Sequence, residues 1–386
     1  MRAAAAALLV TLARAEQSVS ATSSSLRWTG RSVRNDTDGT VSFDWQSVQA
    51  LFSVTGATTV SATLRSTFWA APPAPAPAPA HDARALQQAQ FPKFGVYRVY
   101  VNGVRQEAGQ DGVIVAHGEA EYTLVTGLAP AQTYNISLFY TTDPVFNSWP
   151  DLDLGVGCKQ TVVAVRTDGA FAPPPPPRAK SMYIIGDSIT SGNAMYKPCD
   201  NATKCDSSQS YAGLLCEAFG LNCTQTTASS KGLVHNCCDA LSETVPVLAN
   251  RTFAQDNSTQ WDWSSTPFDA IWVHLGTNDG RQSPPAVFSA AYLSLIKNLL
   301  RFSPADTPVF CAFGPNSDAM EPWIQAAMAA AAAEGIKTTL VDFMAAPLDG
   351  CGHPGVEGHP AMARIAAPII ANVTGWAYSE AHFPSA

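Results

Sequence analysis

Long apolar runs, clustered charge and metal-ligand spacing are all scarce in this chain of 386 residues. No stretch reaches the roughly 18 to 20 apolar residues that span a bilayer, so no membrane partner is expected. Charged residues make up only 14% of the chain and the formal net charge is −8. With no run of Lys or Arg, nothing points to nucleic acid. No CxxC is matched by a second CxxC or by HxxxH, and His and Asp do not gather at ligand spacing. A metal-dependent deacetylase would therefore lack its ligands, and neither a metal nor a cofactor is expected.

What the chain does contain points first to export. Arg2 precedes an apolar stretch, Ala3 to Ala13, and Ala13-Arg14-Ala15 is an A-x-A cleavage pattern, so residues 1–15 read as a signal peptide and the protein as secreted. Seven N-x-[ST] sequons, at Asn35, Asn135, Asn201, Asn222, Asn250, Asn257 and Asn372, fit a glycosylated exported chain. Of nine cysteines, eight follow residue 190, and an oxidising compartment would let most of them pair. Cys199 with Cys205 and Cys216 with Cys223 are the shortest local pairings. The odd count leaves one thiol over. Cys351 is expected in a disulfide that pins its loop.

Two proline-rich segments punctuate the sequence. Ala71 to Ala80 reads as a stiff insertion, and Pro173 to Pro177 as a boundary, since extended polyproline cannot join a core. Before that boundary the pattern has period two. It shows in Val41 to Trp45, in Val60 to Phe68, in Phe94 to Val101 running into the turn Asn102-Gly103, and in Tyr134 to Tyr140. The expectation over 16–170 is an all-β sandwich of jelly-roll type. After a linker over 171–179, strands and helices alternate through 180–386. Tyr183-Ile184-Ile185, Ala270 to Val273, Val309 to Phe313 and Thr338 to Phe343 read as strands. Tyr211 to Phe219, Ala286 to Phe302, an Ala-rich stretch from about Glu321 and a segment from Pro360 read as helices. That alternation predicts an α/β domain with a parallel sheet, whose ligands bind at the carboxyl ends of strands.

Four polar motifs fall at those ends. Gly186-Asp187-Ser188 follows the first strand and holds a serine at the rim. Ser229-Ser230-Lys231-Gly232 follows a short strand-like run. Leu275-Gly276-Thr277-Asn278-Asp279 follows the strand through Val273. Asp349-Gly350-Cys351-Gly352-His353-Pro354 lies after the last strand, with Gly358-His359 beyond it. A serine hydroxyl needs an adjacent base to be a nucleophile at neutral pH, and His353 has the pKa for the task. Fixed donors that do not titrate, such as a backbone N–H at Gly232 and the Asn278 amide, suit a developing oxyanion. His359, at a helix start, is expected to cap or pack. Taken singly, each motif is also compatible with an ordinary turn or cap.

Together and in this order, the four motifs resemble the SGNH (GDSL-like) hydrolase superfamily, with Ser188, Gly232, Asn278 and His353 at its namesake positions over roughly residues 180 to 375. The resemblance implies a flavodoxin-like α/β/α fold and ester hydrolysis through an acyl-enzyme. Its oxyanion hole would use the N–H groups of Ser188 and Gly232 and the Asn278 side chain. The preceding β-sandwich, Ser230-Lys231-Gly232-Leu233, Trp261-Asp262-Trp263 and His353-Pro354 with Gly358-His359 narrow the likeness to the two-domain family-two carbohydrate esterases. This implies acetylxylan-esterase-like removal of acetyl groups from polysaccharide. Most superfamily members place an aspartate three residues before the histidine. Here that position is Gly350, with Asp349 one residue further away. Two readings stay open: a Ser188–His353 dyad oriented by a backbone carbonyl, which is favoured, and a triad through Asp349. The alternatives to a polysaccharide deacetylase are a lipase or thioesterase on the same scaffold and an inactive carbohydrate-binding protein. Trp149, Trp272 and Trp323 are candidate rim aromatics that the sequence alone does not place.

Overall fold

The computed structural model describes residues 16–68, 95–106, 112–144, 158–198, 204–237, 243–265, 267–280, 283–316 and 318–384. The expected signal peptide and the insertion at Ala71 to Ala80 lie outside them, as do Trp149, Cys199 and Asn201.

The period-two segments of the N-terminal half form two antiparallel sheets among the described residues, one of six strands and one of seven. The first runs Gly118–Thr126, Thr59–Phe68, Cys158–Thr167, Thr40–Phe43, Val33–Asn35, with Gln17–Ser20 also on Cys158–Thr167. The second runs Ala170–Ala172, Gln49–Thr55, Thr133–Tyr140, Gly95–Val101, Val104–Arg105. Leu26–Thr29 pairs with Gln49–Thr55, and Val113–Val115 with Gly95–Val101. Val41, Phe43, Leu64 and Val162 of the first sheet share one buried cluster with Phe52, Val99, Ile136 and Leu138 of the second. This is alternation at work: every second side chain points inward and the two inner faces meet. Asn102 and Gly103 both take positive φ, 51° and 81°, the two-residue turn that suits a twisted hairpin.

In the C-terminal half five parallel strands follow one another as Lys180–Gly186, Leu221–Thr227, Ala270–His274, Val309–Phe313 and Thr338–Asp342. Side by side they lie in the order second, first, third, fourth, fifth, the flavodoxin-like arrangement. Their runs of buried residues, such as all five positions of Ala270–His274, reflect burial on both faces. Helices Tyr211–Ala218 and Gly358–Thr374 cover one face through Leu214, Leu215, Met362, Ala366 and Ile370. Pro285–Leu300 and Glu321–Ala333 cover the other through Phe288, Tyr292, Ile296 and Ile324. The strand order reverses direction between the first and third strands, and the crevice there is where ligands bind in such sheets.

The two halves are joined through buried polar and aromatic groups. Trp45 of the N-terminal half belongs to the buried core cluster of the C-terminal half that includes Tyr183 and Phe268. The fully buried Arg31 lies against Trp45, Trp261 and Trp263 and donates to the carbonyls of Ala249 and Arg251. Arg98 and Asp206, both without exposed side-chain surface, form an ion pair at 3.0 Å. Such a pair is costly to break once its charges are out of water.

The disulfides differ in part from expectation. Cys216 and Cys223 are bridged, and Cys237 and Cys351 are also disulfide-bonded. Cys205 is instead a buried thiol donating to Asn193 Oδ1 at 2.8 Å, so the expected pairing with Cys199 does not form. Cys311, inside a buried strand, is likewise outside any disulfide.

Candidate active site

The first strand ends in Gly186, and the chain turns at once into a single helical turn, Ser188–Ser191. Gly186 is required there: a Cβ would come within 2.2 Å of Thr190 Oγ1. Asp187 caps the turn, its Oδ1 accepting from the Ile189 N–H at 3.0 Å, and Gly192 closes it with φ of 72°. Burial pushes the Asp187 carboxyl up to about 7 against the opposing pull of that N–H. Ser188, 5% exposed, is thereby held at the crevice between the first and third strands.

His353 arrives from the loop after the fifth strand. Its Nε2 lies 2.8 Å from Ser188 Oγ, and its Nδ1 lies 3.3 Å from the carbonyl oxygen of Cys351. A carbonyl can only accept, so Nδ1 carries the proton and Nε2 is left as the acceptor facing the serine hydroxyl. Burial lowers the His353 pKa below the usual imidazole range, with the Cys351 carbonyl acting against the shift. The ring is thus neutral near pH 7, the state a base requires.

Asp349 does not reach the imidazole. Its Oδ1 accepts from the N–H groups of Gly355 (2.6 Å) and Gly358 (2.9 Å), and its Oδ2 from Glu357 (2.9 Å). Partial burial is the largest single effect and pushes its pKa up, but these bonds together outweigh it and hold the carboxyl below the usual carboxylate value. The carboxylate braces the loop against the start of helix Gly358–Thr374, and the triad reading is corrected on this point. His359 is buried and accepts the Tyr211 N–H through Nδ1 at 3.2 Å, capping another helix start as expected.

Asn278 follows the third strand and donates through Nδ2 to Lys231 O at 2.8 Å. An amide nitrogen has two N–H bonds, and the second has no partner among the described residues. Gly232 departs from its expected role. Its N–H donates to Asn236 Oδ1 at 3.1 Å and is not available to a substrate. Its glycine identity has a packing cause: a Cβ would lie 1.9 Å from His235 O and 2.6 Å from Asp279 Oδ2. Asp279 in turn accepts from the N–H groups of Leu233, Val234 and His235, binding the second motif to the third.

The unoccupied donor of that loop is two residues earlier. Lys231 N–H closes a turn onto Ala228 O, and Ser230 within it has φ of 66°. A residue with a side chain pays about 1–2 kcal/mol for this left-handed conformation, and such strain gathers at functional sites. The Ser230 N–H, like that of Ser188, has no hydrogen-bond partner among the described residues. The sequence did carry a signal, since Ser229-Ser230 stands inside the motif, but glycine drew the assignment.

The remaining tryptophans do not form a rim. Trp272 is 1% exposed in the core, and Trp323 packs against Phe288. Among the described residues no three His, Cys, Asp or Glu side chains gather as a metal site, and no helix is long and apolar enough to cross a membrane.

Comparison with solved structures agrees with this architecture. A family two carbohydrate esterase from Cellvibrio japonicus superposes with a TM-score of 0.75 at 16% identity, covering 94% of this chain and 99% of that one. The chain shares the fold of the family two carbohydrate esterases. A second such enzyme, from Clostridium thermocellum in complex with cellohexaose, gives 0.73 at 21% identity, with coverage of 91% and 99%. An acetyl xylan esterase, Est2A, from the rumen bacterium Butyrivibrio proteoclasticus gives 0.75 at 15% identity, with coverage of 94% and 99%. No family model and no curated protein matches the sequence. The likeness therefore lies in three-dimensional structure, an SGNH-type hydrolase fold carried by a divergent sequence.

Proposed function

We propose that this protein is a secreted serine esterase that removes acyl groups, acetyl foremost, from polysaccharides. The observation that carries the reading is the relay of Ser188 Oγ, His353 Nε2 and, through Nδ1, the Cys351 carbonyl. In the first step Ser188 Oγ attacks the ester carbonyl carbon while His353 Nε2 takes the hydroxyl proton. The oxygen gains negative charge and is stabilised by the N–H groups of Ser188 and Ser230 and the spare N–H of Asn278. Collapse breaks the bond to the sugar oxygen, which takes the proton back from His353 and leaves as the alcohol. Water, deprotonated by His353, then attacks the acyl-serine. The bond to Ser188 Oγ then breaks, Oγ takes the proton back from His353, and the carboxylic acid departs, restoring Ser188. The Cys351 carbonyl does for the imidazole what a carboxylate does in a triad: it fixes tautomer and orientation.

The polysaccharide assignment draws support from the solved structures of the same fold, one of which holds cellohexaose. A longer-acyl or lipid substrate is the second reading, favoured by the exposed side chains of Leu348 (43%) and Val356 (54%) on the loop that carries His353. A serine-reactive phosphonate, followed by peptide mapping, tests the nucleophile: the label falls on Ser188 and is lost in Ser188→Ala. Comparison of 4-nitrophenyl acetate with the butyrate separates the two substrate readings. Absence of any label on Ser188 would overturn the mechanism.

A further inference from the structure

The N-terminal half reaches into the turn that carries the Ser230 N–H. Residues 141–143 continue from strand Thr133–Tyr140 and are fully buried. They are fixed to the neighbouring strand by Thr141 N–H and Oγ1 donating to Val96 O, and by Val96 N–H donating to Thr142 Oγ1. This rail delivers Asp143 across the junction of the two halves. Asp143 Oδ2 accepts from both the Ser229 N–H (3.1 Å) and the Ser229 hydroxyl (3.0 Å). Asn193, just beyond the nucleophile's own turn, donates to Ser229 Oγ at 3.0 Å, and its Oδ1 accepts from the Cys205 thiol. Ser229 is thus gripped from both sides at the residue before Ser230. A side-chain-bearing residue resists positive φ, and the bonds that hold it there must come from its neighbours.

Resting on the reading of Ser188 and Ser230 given above, we propose that Asp143 is a positioning residue for the reaction: by anchoring Ser229 it keeps Ser230 left-handed, with its N–H facing the ester carbonyl. The N-terminal half therefore takes part in the rate of the chemical step. Buried contacts to the loop after the nucleophile follow the same plan. Arg98 and Arg105 pair with Asp206, whose own N–H donates to Gly192 O. Tyr100 OH donates to Ser208 Oγ.

The test measures kcat and KM on 4-nitrophenyl acetate for the full chain and for Asp143→Asn, Asp143→Ala, Ser229→Ala and the double variant Asp143→Ala with Ser230→Gly, with thermal unfolding in parallel. Loss or misplacement of one oxyanion donor lowers rate by roughly 10²-fold. Asp143→Ala is expected to lose about 30- to 100-fold in kcat with KM within about 2-fold, by the same principle. Ser230→Gly in that background is expected to restore several-fold of the loss, because glycine adopts positive φ without a Cβ penalty. A merely structural role would not give that rescue. Should Asp143→Ala fail to fold, Ser229→Ala, which keeps the backbone bond, reads a smaller kcat loss of about 3- to 10-fold. Asp143→Asn, whose amide oxygen can still accept both bonds, is expected to stay near wild type. Wild-type kcat in Asp143→Ala, or in Ser229→Ala should the former not fold, overturns the proposal. So does a loss that Ser230→Gly leaves untouched. If the unaltered protein shows no Ser188-dependent hydrolysis, the esterase reading itself falls, an outcome distinct from either.

Discussion

Replacing Asp349 separates the carbonyl-oriented dyad from a triad. The carboxylate receives three N–H bonds, from Gly355, Glu357 and Gly358, at 2.6 to 2.9 Å, and none from His353. Hydrogen bonds to a charged group are worth about 1.5–3 kcal/mol each when shielded. This site is partly exposed, and water takes over much of the bonding when the side chain is removed. A helix-cap deletion, typically about 1 kcal/mol and up to 2, is the closer guide. For three bonds we expect Asp349→Ala to lose about 2–3 kcal/mol. At about 2–4 °C per kcal/mol for a unit near 200 residues, Tm falls by roughly 5–10 °C. Activity behaves differently. Loss of the acid from a carboxylate triad costs about 10⁴-fold in kcat, whereas here the Cys351 carbonyl keeps the imidazole in place and kcat should stay within about 10-fold of wild type. Steady-state hydrolysis of 4-nitrophenyl acetate at 25 °C, with calorimetric Tm on the same samples, reads both quantities. A kcat loss of 10³-fold or more at unchanged Tm would refute the carbonyl-oriented dyad and return Asp349 to the mechanism.

Asn278→Ala is expected to lower kcat about 10²- to 10³-fold with little change in KM, the effect of deleting one oxyanion donor; equal loss in kcat and affinity would point to ground-state binding instead. Because burial depresses the His353 pKa, kcat/KM should be level at neutral pH. It should fall only as pH drops through a midpoint below the usual 6.5 for histidine; a midpoint above that value would contradict the geometry. Burial lowers His274 to about 4 and His359 to about 3. At these two sites the unfolded chain therefore binds more protons than the native one below pH 6.5, and the stability they contribute above that pH drains away toward pH 4. The loss should be on the order of 3 kcal/mol per histidine, offset in part by the raised Asp187 carboxyl, which holds its proton in the native state over the same interval. NMR titration of the two rings reads the effect directly, and a midpoint near 6.5 for either would show that it is not held neutral. Among the sequons, exposed Asn257 and Asn372 should carry glycans when the chain is expressed through a secretory pathway. Asn222, half-buried with its Oδ1 enclosed, should not, as site-resolved mass spectrometry would report.

The parts of the site legible in the sequence are those set directly at the ends of strands. Ser188 and Asn278 each follow a run of buried residues whose apolar pattern marks the strand, so the polar residue just beyond must stand at the rim. His353 was found because its loop follows the last such run, and Cys351 was rightly placed in a disulfide. The α/β alternation and the period-two segments gave the layers for the same reason: burial on two faces or one leaves different spacing. Gly232 misled because a glycine can be demanded by packing as well as by a donor role, and the contacts with His235 and Asp279 that demand it are invisible in a linear motif. The Asp349 triad stayed open beside the favoured dyad because an acid near a histidine has a familiar use, while its three backbone partners lie after it in the chain. Asp143 could not be read at all. It lies 86 residues before Ser229, in the other half of the protein, and no local pattern announces a carboxylate aimed across an interface.

The most direct test of the whole account is release of acetate from acetylated xylan and glucomannan by the form beginning at Glu16, measured beside Ser188→Ala. The account predicts acetate from polymer in the first and none above background in the second. Acetate release that survives the serine change, or no Ser188-dependent release from any acetylated polymer, would contradict it.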